Sequence, residues 1–295
     1  MTTRKTNAVK DFKESLGWEV ERHTPFTQTQ SGIIVPESDY VALKRSDTLE
    51  TLSLFKNSYT ETKNRAFEDY ANQLSEASGY ALEGFSEFRG GTKVLAYLKA
   101  TDDLVAQYLG LPSENYLVFG NSHDGTTPLF VGSVNILLRC YNAWSRVMQG
   151  LKVRHTKNHN YRVDMFIDLV KGFRSEKEKE AIIFLKMSEI KIDRGILDAL
   201  ANRLLNIDET KVKEGDILKP VTARNKISLM ESFEKETSDL GMNLWGAFNG
   251  ITHYTTHSKT STDTYGNLLG GNMKFNEQGF ALCMQVAEKK GVALV

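Results

Sequence analysis

Apolar positions along this chain follow two different periods, and the change between them divides it. Leu82–Arg89 and Thr92–Lys99 are short segments that flank Gly90-Gly91. Paired glycines accept the positive φ angles of a tight turn, so the pattern predicts a β-hairpin. A second hairpin is predicted where YLVFG, from Tyr116, and PLFVG, from Pro128, flank Asp124-Gly125. Ser133 then caps a predicted helix with Val134, Leu137, Leu138, Tyr141 and Met148 on one face. Upstream, residues 1–46 read as irregular, with extended pieces at Trp18–Val20 and Gly32–Val35. Asp47-Thr-Leu-Glu50 resembles a capping box. Leu52, Phe55, Tyr59, Phe67, Tyr70, Leu74 and Ala77 follow at near-helical spacing, with a break around Thr60–Thr62 and a stop at Gly79. A short helix around Asp103–Leu109 precedes Pro112.

After Gly150 the helical period takes over. Val163, Phe166, Ile167 and Val170 show it clearly. The predicted helices are Tyr161–Phe173, Glu176–Ile190, Arg194–Leu205, Ala223–Ser238, Met242–Tyr254 and Asn276–Lys290. Gly215 and Pro220 mark one loop, and the polar run Thr255–Thr264 another. The expected fold class is α+β: an N-terminal antiparallel sheet packed with helices, followed by a mostly helical C-terminal half. The expected division is 1–150 and 151–295, as two domains or as one domain with a helical extension.

Composition narrows the function classes. The 295 residues carry 37 basic and 37 acidic side chains, a balance that excludes a globally basic nucleic-acid binder. Locally the charge separates. Acids outnumber bases between Asp47 and Asn115, whereas only Asp164 and Asp168 oppose the bases between Arg139 and Arg174. No apolar run approaches the length of a membrane span, and the charged N-terminus lacks the apolar core of a secretory signal. Cys140 and Cys283 stand among apolar neighbours and read as free thiols, which fits a cytoplasmic location.

Several constellations carry candidate chemistry. His253 and His257 are four residues apart, as are His155 and His159, a spacing that puts metal ligands on one helix face. Neither pair has a glutamate or cysteine at ligand spacing, so capping, stacking or phosphate contact is the stronger expectation and no metal or other cofactor is expected. Ser122, His123 and Asp124 are adjacent, but triads assemble through the fold, and Asp-Gly serves the turn. Neither GxxxxGK[ST] nor GxGxxG occurs, which disfavours P-loop hydrolysis and Rossmann-type dinucleotide binding. The polar cluster Thr255–Asn267 reads as an exposed loop with groups able to contact phosphate. The basic segment offers more. Arg139, Arg146, Lys152, Arg154, Lys157 and Arg162 are interleaved with Tyr141, Trp144 and Tyr161. Cations can track a phosphate backbone while aromatics stack on bases. Tyr141 lies on the apolar stripe and is expected in the core, which leaves Trp144 and Tyr161 to stack.

Two segments resemble a known family. YLVFGNSHDGTTPLF followed by ILLRCYNAW is similar to the phage/plasmid-like proteins, domains of unknown function carried by phages, plasmids and integrated elements. The matching positions are Asn121, Ser122, Asp124 and Gly125, then Arg139, Cys140 and Asn142. Arg139 and Cys140 are adjacent here, which departs from the family's spacing, and Ala143 follows the asparagine. LWGAFNGITHYTTH matches at Trp245, Asn249, Thr252, Tyr254 and His257. The resemblance spans residues 40–290 and implies no established activity. At the level of fold, the order of helix, hairpin, strands and helix also resembles single-strand annealing recombinases. That likeness implies DNA held in an oligomeric ring or filament without nucleotide hydrolysis.

The expectation is therefore a DNA-binding protein of a phage or mobile element in the bacterial cytoplasm. Its expected partners are single-stranded DNA and further copies of itself, and not a membrane. Arg139, Arg146, Lys152, Arg154, Lys157 and Arg162 would hold phosphates, Trp144 or Tyr161 would stack, and Asn121 and Asn142 would fix local geometry. One alternative is a protein-interaction module, such as a host-defence inhibitor or phage structural component. Another is a metal-dependent enzyme using His253 and His257.

Overall fold

The computed structural model describes residues 10–153, 166–168, 170–208, 218–259 and 264–294. They belong to two compact units. The first comprises Met1–Thr101, Asn115–Ser133 and Val147–Phe173, and the second Asp102–Glu114, Val134–Arg146 and Arg174–Val295. The units interleave in sequence rather than meeting at a single point, and position 150 lies inside a strand. The architecture is α+β, with antiparallel pairing in the N-terminal half and helices dominating the C-terminal half.

Helix α1 (Phe12–Leu16) opens the first unit. Its cap is Asp11, whose carboxylate accepts from the Glu14 N–H at 2.9 Å. Strands β1 (Val20–His23), β4 (Tyr40–Arg45) and β5 (Thr51–Lys56) form one small sheet, while β2 (Phe26–Gln28) and β3 (Ile34–Pro36) pair by themselves. Helix α2 (Asn64–Ser78) ends at Gly79, whose φ of 73° fits the left-handed stop. Strands β6 (Ala81–Phe88) and β7 (Lys93–Lys99) follow, with Gly90 and Gly91 at positive φ in the turn, as the sequence predicts. Helix α3 (Leu104–Leu109) precedes the long strands β8 (Ser113–Ser122), β9 (Leu129–Leu137) and β10 (Ala143–Val153). The five-stranded sheet runs β10-β9-β8-β7-β6, a meander in chain order.

Two expectations are corrected here. Asp47–Tyr59 is not helical: Asp47 lies in the β4–β5 turn and grips the Arg45 guanidinium through two contacts of 2.9 Å, and β5 follows. The helix begins only at Asn64. Ser133–Met148 is likewise not a helix but the end of β9, a turn and the start of β10. The cause is burial on both strand faces. Along β9 every residue from Leu129 to Asn135 is buried, so apolar and polar positions do not alternate. A continuous buried run has no period that separates strand from helix.

The first unit's core joins α2 to the sheet. Phe67, Ala71 and Leu74 pack with Phe85, Val94, Ala96, Leu98, Leu117 and Phe119. Phe67 stacks on Phe119 at 4.7 Å between ring centres. A separate cluster gathers Trp18, Val20, Val41, Leu43 and Leu52, with the Arg45 guanidinium 4.0 Å over the Trp18 ring.

The C-terminal helices are α4 (Phe173–Glu189), α5 (Arg194–Leu204), α6 (Pro220–Leu240), α7 (Leu244–His253), α8 (Thr264–Leu269) and α9 (Gly271–Lys289); all but α8 match predicted helices, and α8 falls where a polar loop is expected. Of the predicted helix Tyr161–Phe173, residues 161–165 and 169 lie outside the described residues, while 166–168 and 170 are helical. Local chemistry explains the starts. Asp193 caps α5, Asn243 caps α7, and Pro220 occupies the first turn of α6, where no amide hydrogen is needed. Helices α6 and α7 approach closely because position 250 is glycine. A Cβ there would come within 2.8 Å of the Phe233 backbone. Among the described residues no helix is long and apolar enough to cross a membrane.

Candidate functional site

The motif segments of the second unit converge on the turn between β9 and β10. Tyr141 adopts a φ of 55°, a conformation that bulky side chains rarely accept. Its N–H donates to the Leu137 carbonyl at 2.7 Å, and the Leu137 N–H to the Asn142 carbonyl at 3.1 Å. Residues of α7 and of the π-helix that continues it, Tyr254–Ser258, grip the rest of the turn. The Asn142 amide donates to the Asn249 carbonyl at 3.4 Å, and the Ala143 N–H to Thr256 Oγ1 at 3.1 Å. His257 Nε2 lies 3.0 Å from the Cys140 carbonyl, so that nitrogen carries the proton. The wider π turn shifts the backbone pairing, and α9 meets the shift. Asn272 donates to the carbonyls of Thr255 and Lys259, and Thr255 donates to Asn276. The expected polar loop from Thr255 is thus helical as far as Ser258.

Beneath the turn sits Glu236, from α6. It is buried and hydrogen-bonded to the Asn142 side chain. Glu236 Oε1 and Asn142 Oδ1 both lack a partner among the described residues. Burial raises the Glu236 pKa from 4.5; Asp239 also raises it, while the Asn142 bond, Lys235 and Arg139 oppose. A protonated Glu236 avoids the cost of burying its charge, which the hydrogen bond donated by the Asn142 amide only partly offsets. Because the folded pKa is raised, this contribution is intact below pH 4.5 and is lost as pH climbs through the folded value. Glu236→Gln, which is neutral at every pH, is expected to stay level where the wild type declines, with a gap of about 1–2 kcal/mol. Paired thermal melts across that range check this.

His253 is held neutral. The Lys235 ammonium, which can only donate, lies 2.9 Å from Nε2, so Nδ1 carries the hydrogen and donates to Ser232 Oγ at 3.1 Å. Burial, Lys235 and His257 push its pKa down to about 4. The two histidines are close, 4.6 Å between ring centres, but their Nε2 atoms are committed to Lys235 and to the Cys140 carbonyl. No group of histidine, cysteine and carboxylate suited to a metal occurs among the described residues. His155 and His159 lie outside them. The Cys140 thiol, pushed up by burial, stays protonated and is a poor nucleophile.

The basic segment divides. Arg139 is exposed and pairs with Asp239 at 3.3 Å, and Arg146 and Lys152 are exposed on β10. Arg154, Lys157, Tyr161 and Arg162 lie outside the described residues. The aromatic assignments are corrected. Trp144 is only 4% exposed, with its indole N–H on Glu180 and Phe248 and Phe280 against its ring, so it offers no face to a base. Tyr141, expected in the core, is 66% exposed. Trp245, Asn249 and Tyr254 are buried, and Asn249 donates to the Trp245 carbonyl.

The first unit's motif residues build a turn. Asp124 Oδ1 accepts from the Thr126 N–H at 3.0 Å and lies 2.6 Å from the buried Lys93 ammonium, while Gly125 has a φ of 66°. Ser122 Oγ donates to the Thr127 carbonyl, His123 Nε2 contacts Asn64 Oδ1, and Asn121 donates to the Thr62 carbonyl. These partners fit a turn rather than a triad. Sequence reasoning missed Glu236, Lys235 and Lys93, whose partners are far away in the chain. Asn272 and Asn276 were findable as two asparagines four apart on one helix.

No curated protein and no solved structure matches this chain. Residues 51–278, which contain both motif segments, match a family model, and the chain belongs to that family, Domain of unknown function (DUF932).

Proposed function

We propose that the chain is a DNA-binding protein of a phage or mobile element, acting on single-stranded DNA in annealing or recombination without nucleotide hydrolysis, as an oligomer in the bacterial cytoplasm. The observation that carries this reading is β10. It is the edge strand of the described five-stranded sheet and bears exposed Arg146 and Lys152. Arg154, Lys157 and Arg162 follow in the sequence. A strand edge with cations and no competing acid nearby in sequence suits a phosphate backbone better than a protein core. If those five cations each neutralise one phosphate, log K should fall against log salt with a slope of about −3.5. Fluorescence anisotropy with a labelled single-stranded oligonucleotide measures it, and no binding at low salt would sink the reading.

A second reading, a protein-interaction module, draws on a different feature. Phe26, Ile33, Ile34 and Val35 are all exposed on or beside the β2–β3 ribbon. Recovery from cells with a stoichiometric protein partner and no nucleic acid would favour it.

A further inference from the structure

We infer that Tyr141 is the aromatic platform on which a base of single-stranded nucleic acid stacks, an inference that rests on the proposed DNA binding. The sequence places this ring in a core, yet it stands 66% exposed at the tip of the β9–β10 turn, between Arg139 and Arg146. The φ of 55° is the second observation. Left-handed backbone costs a residue with a Cβ roughly 1–2 kcal/mol, which glycine or asparagine would largely avoid.

The turn spends many contacts on holding that conformation. Tyr141 N–H is fixed on Leu137, the preceding carbonyl on His257, the following side chain on Asn249 and the next N–H on Thr256. None of these contacts uses the phenol ring. Strain that the surroundings over-determine, at an exposed aromatic, is the signature of a side chain held for contact rather than for packing. A base needs such a face: stacking tolerates any sequence because every base has one. Arg139, two residues before Tyr141, pairs with Asp239 only at the surface, both side chains about half exposed, and can exchange that partner for a phosphate.

The test uses the full chain with a labelled oligothymidylate and an abasic strand of equal length. Tyr141→Gly removes the ring and relieves the backbone. Its dissociation constant for oligothymidylate is expected to rise about 5- to 150-fold, the range for losing one stacked base. The salt slope, the affinity for the abasic strand and the melting temperature should be no lower than in the wild type. Tyr141→Phe keeps the face and should bind within about twofold. Wild-type affinity in Tyr141→Gly overturns the assignment to Tyr141 while leaving DNA binding in place. An equal loss on both strands overturns it too, because the turn then matters for phosphate contact and not for stacking. A wild-type chain that binds neither strand at low salt removes the DNA reading, and this inference with it.

Discussion

Trp144→Ala is expected to cost about 3–5 kcal/mol of stability, a large share of what a typical domain has. The indole is 4% exposed and packs on Phe248 and Phe280, with ring centres 5.0 and 5.6 Å away. Truncation therefore leaves a cavity among rings that cannot all collapse into it. It also removes a hydrogen bond of 2.9 Å to Glu180, a buried carboxylate that pairs with Lys177. Burial alone would raise the Glu180 pKa. The Lys177 ammonium, the indole N–H and, least, the Arg146 charge outweigh burial and hold it low, so the indole is one of the groups that keep a charge buried there. Trp144→Phe keeps most of the ring volume and should cost about 1–2 kcal/mol, mainly the lost donor. Arg146→Ala, two residues on and exposed, should change stability by less than about 0.5 kcal/mol. Denaturant melts of the three variants separate these outcomes. Equal, small effects at both positions would mean that Trp144 is a surface residue after all.

The contrast between Trp144 and Tyr141 shows where sequence reading works in this chain. Helices α5 and α6 are legible because one face of each is apolar, although Pro220, which reads as a loop marker, lies in the first turn of α6; α7 is legible as a long apolar run despite being buried from Leu244 to Thr252. The β6–β7 hairpin is legible because only Gly90-Gly91 could make its turn cheaply. Strand β9 is not legible, since a strand buried on both faces carries no alternation. Once it is taken for a helix, the stripe that includes Val134, Leu137 and Tyr141 puts the tyrosine inside and leaves the tryptophan undecided. The strand and turn reverse this. Leu137 ends the strand, Tyr141 turns out at positive φ, and Trp144 re-enters the core on β10. The polar site is harder still. Asn142, Glu236, His257 and Asn272 come from four elements and meet only through the fold. The motif pattern marked Asn142, Asn249 and His257 without saying that they hold a single turn.

The same gap between motif and role applies to Asp124, where the second large effect is expected. As half of an Asp-Gly pair it reads as a turn residue. In the structure it is also the counter-ion of Lys93, whose side chain is 1% exposed and whose ammonium additionally contacts Thr126 and Thr127. Desolvation pushes the Lys93 pKa down, and Asp124 is the main force against it. Asp124→Ala removes the charge and leaves a buried ammonium uncompensated, at an expected cost of about 3–5 kcal/mol near neutral pH. Asp124→Asn keeps an acceptor for the Thr126 N–H and still loses the charge, so it should recover only the turn's share, about 1 kcal/mol. The pH dependence distinguishes charge from turn. Without Asp124 the folded pKa of Lys93 falls further below its ordinary 10.5, and the unfolded chain then binds the extra proton. The variant's deficit should therefore shrink as pH rises towards 10.5, because the unfolded lysine also loses its proton there. The wild type has its own acid limit. Burial would raise the Asp124 pKa, but Lys93 and Thr126 hold it below 3.8, so the pair's contribution is intact above 3.8 and lost as pH falls through the folded value. Adding Lys93→Met to Asp124→Asn removes both charges together. If the buried ion pair is the cause, the double variant should be more stable than Asp124→Asn alone, and a deficit that is flat with pH in Asp124→Ala would place the whole effect in the turn.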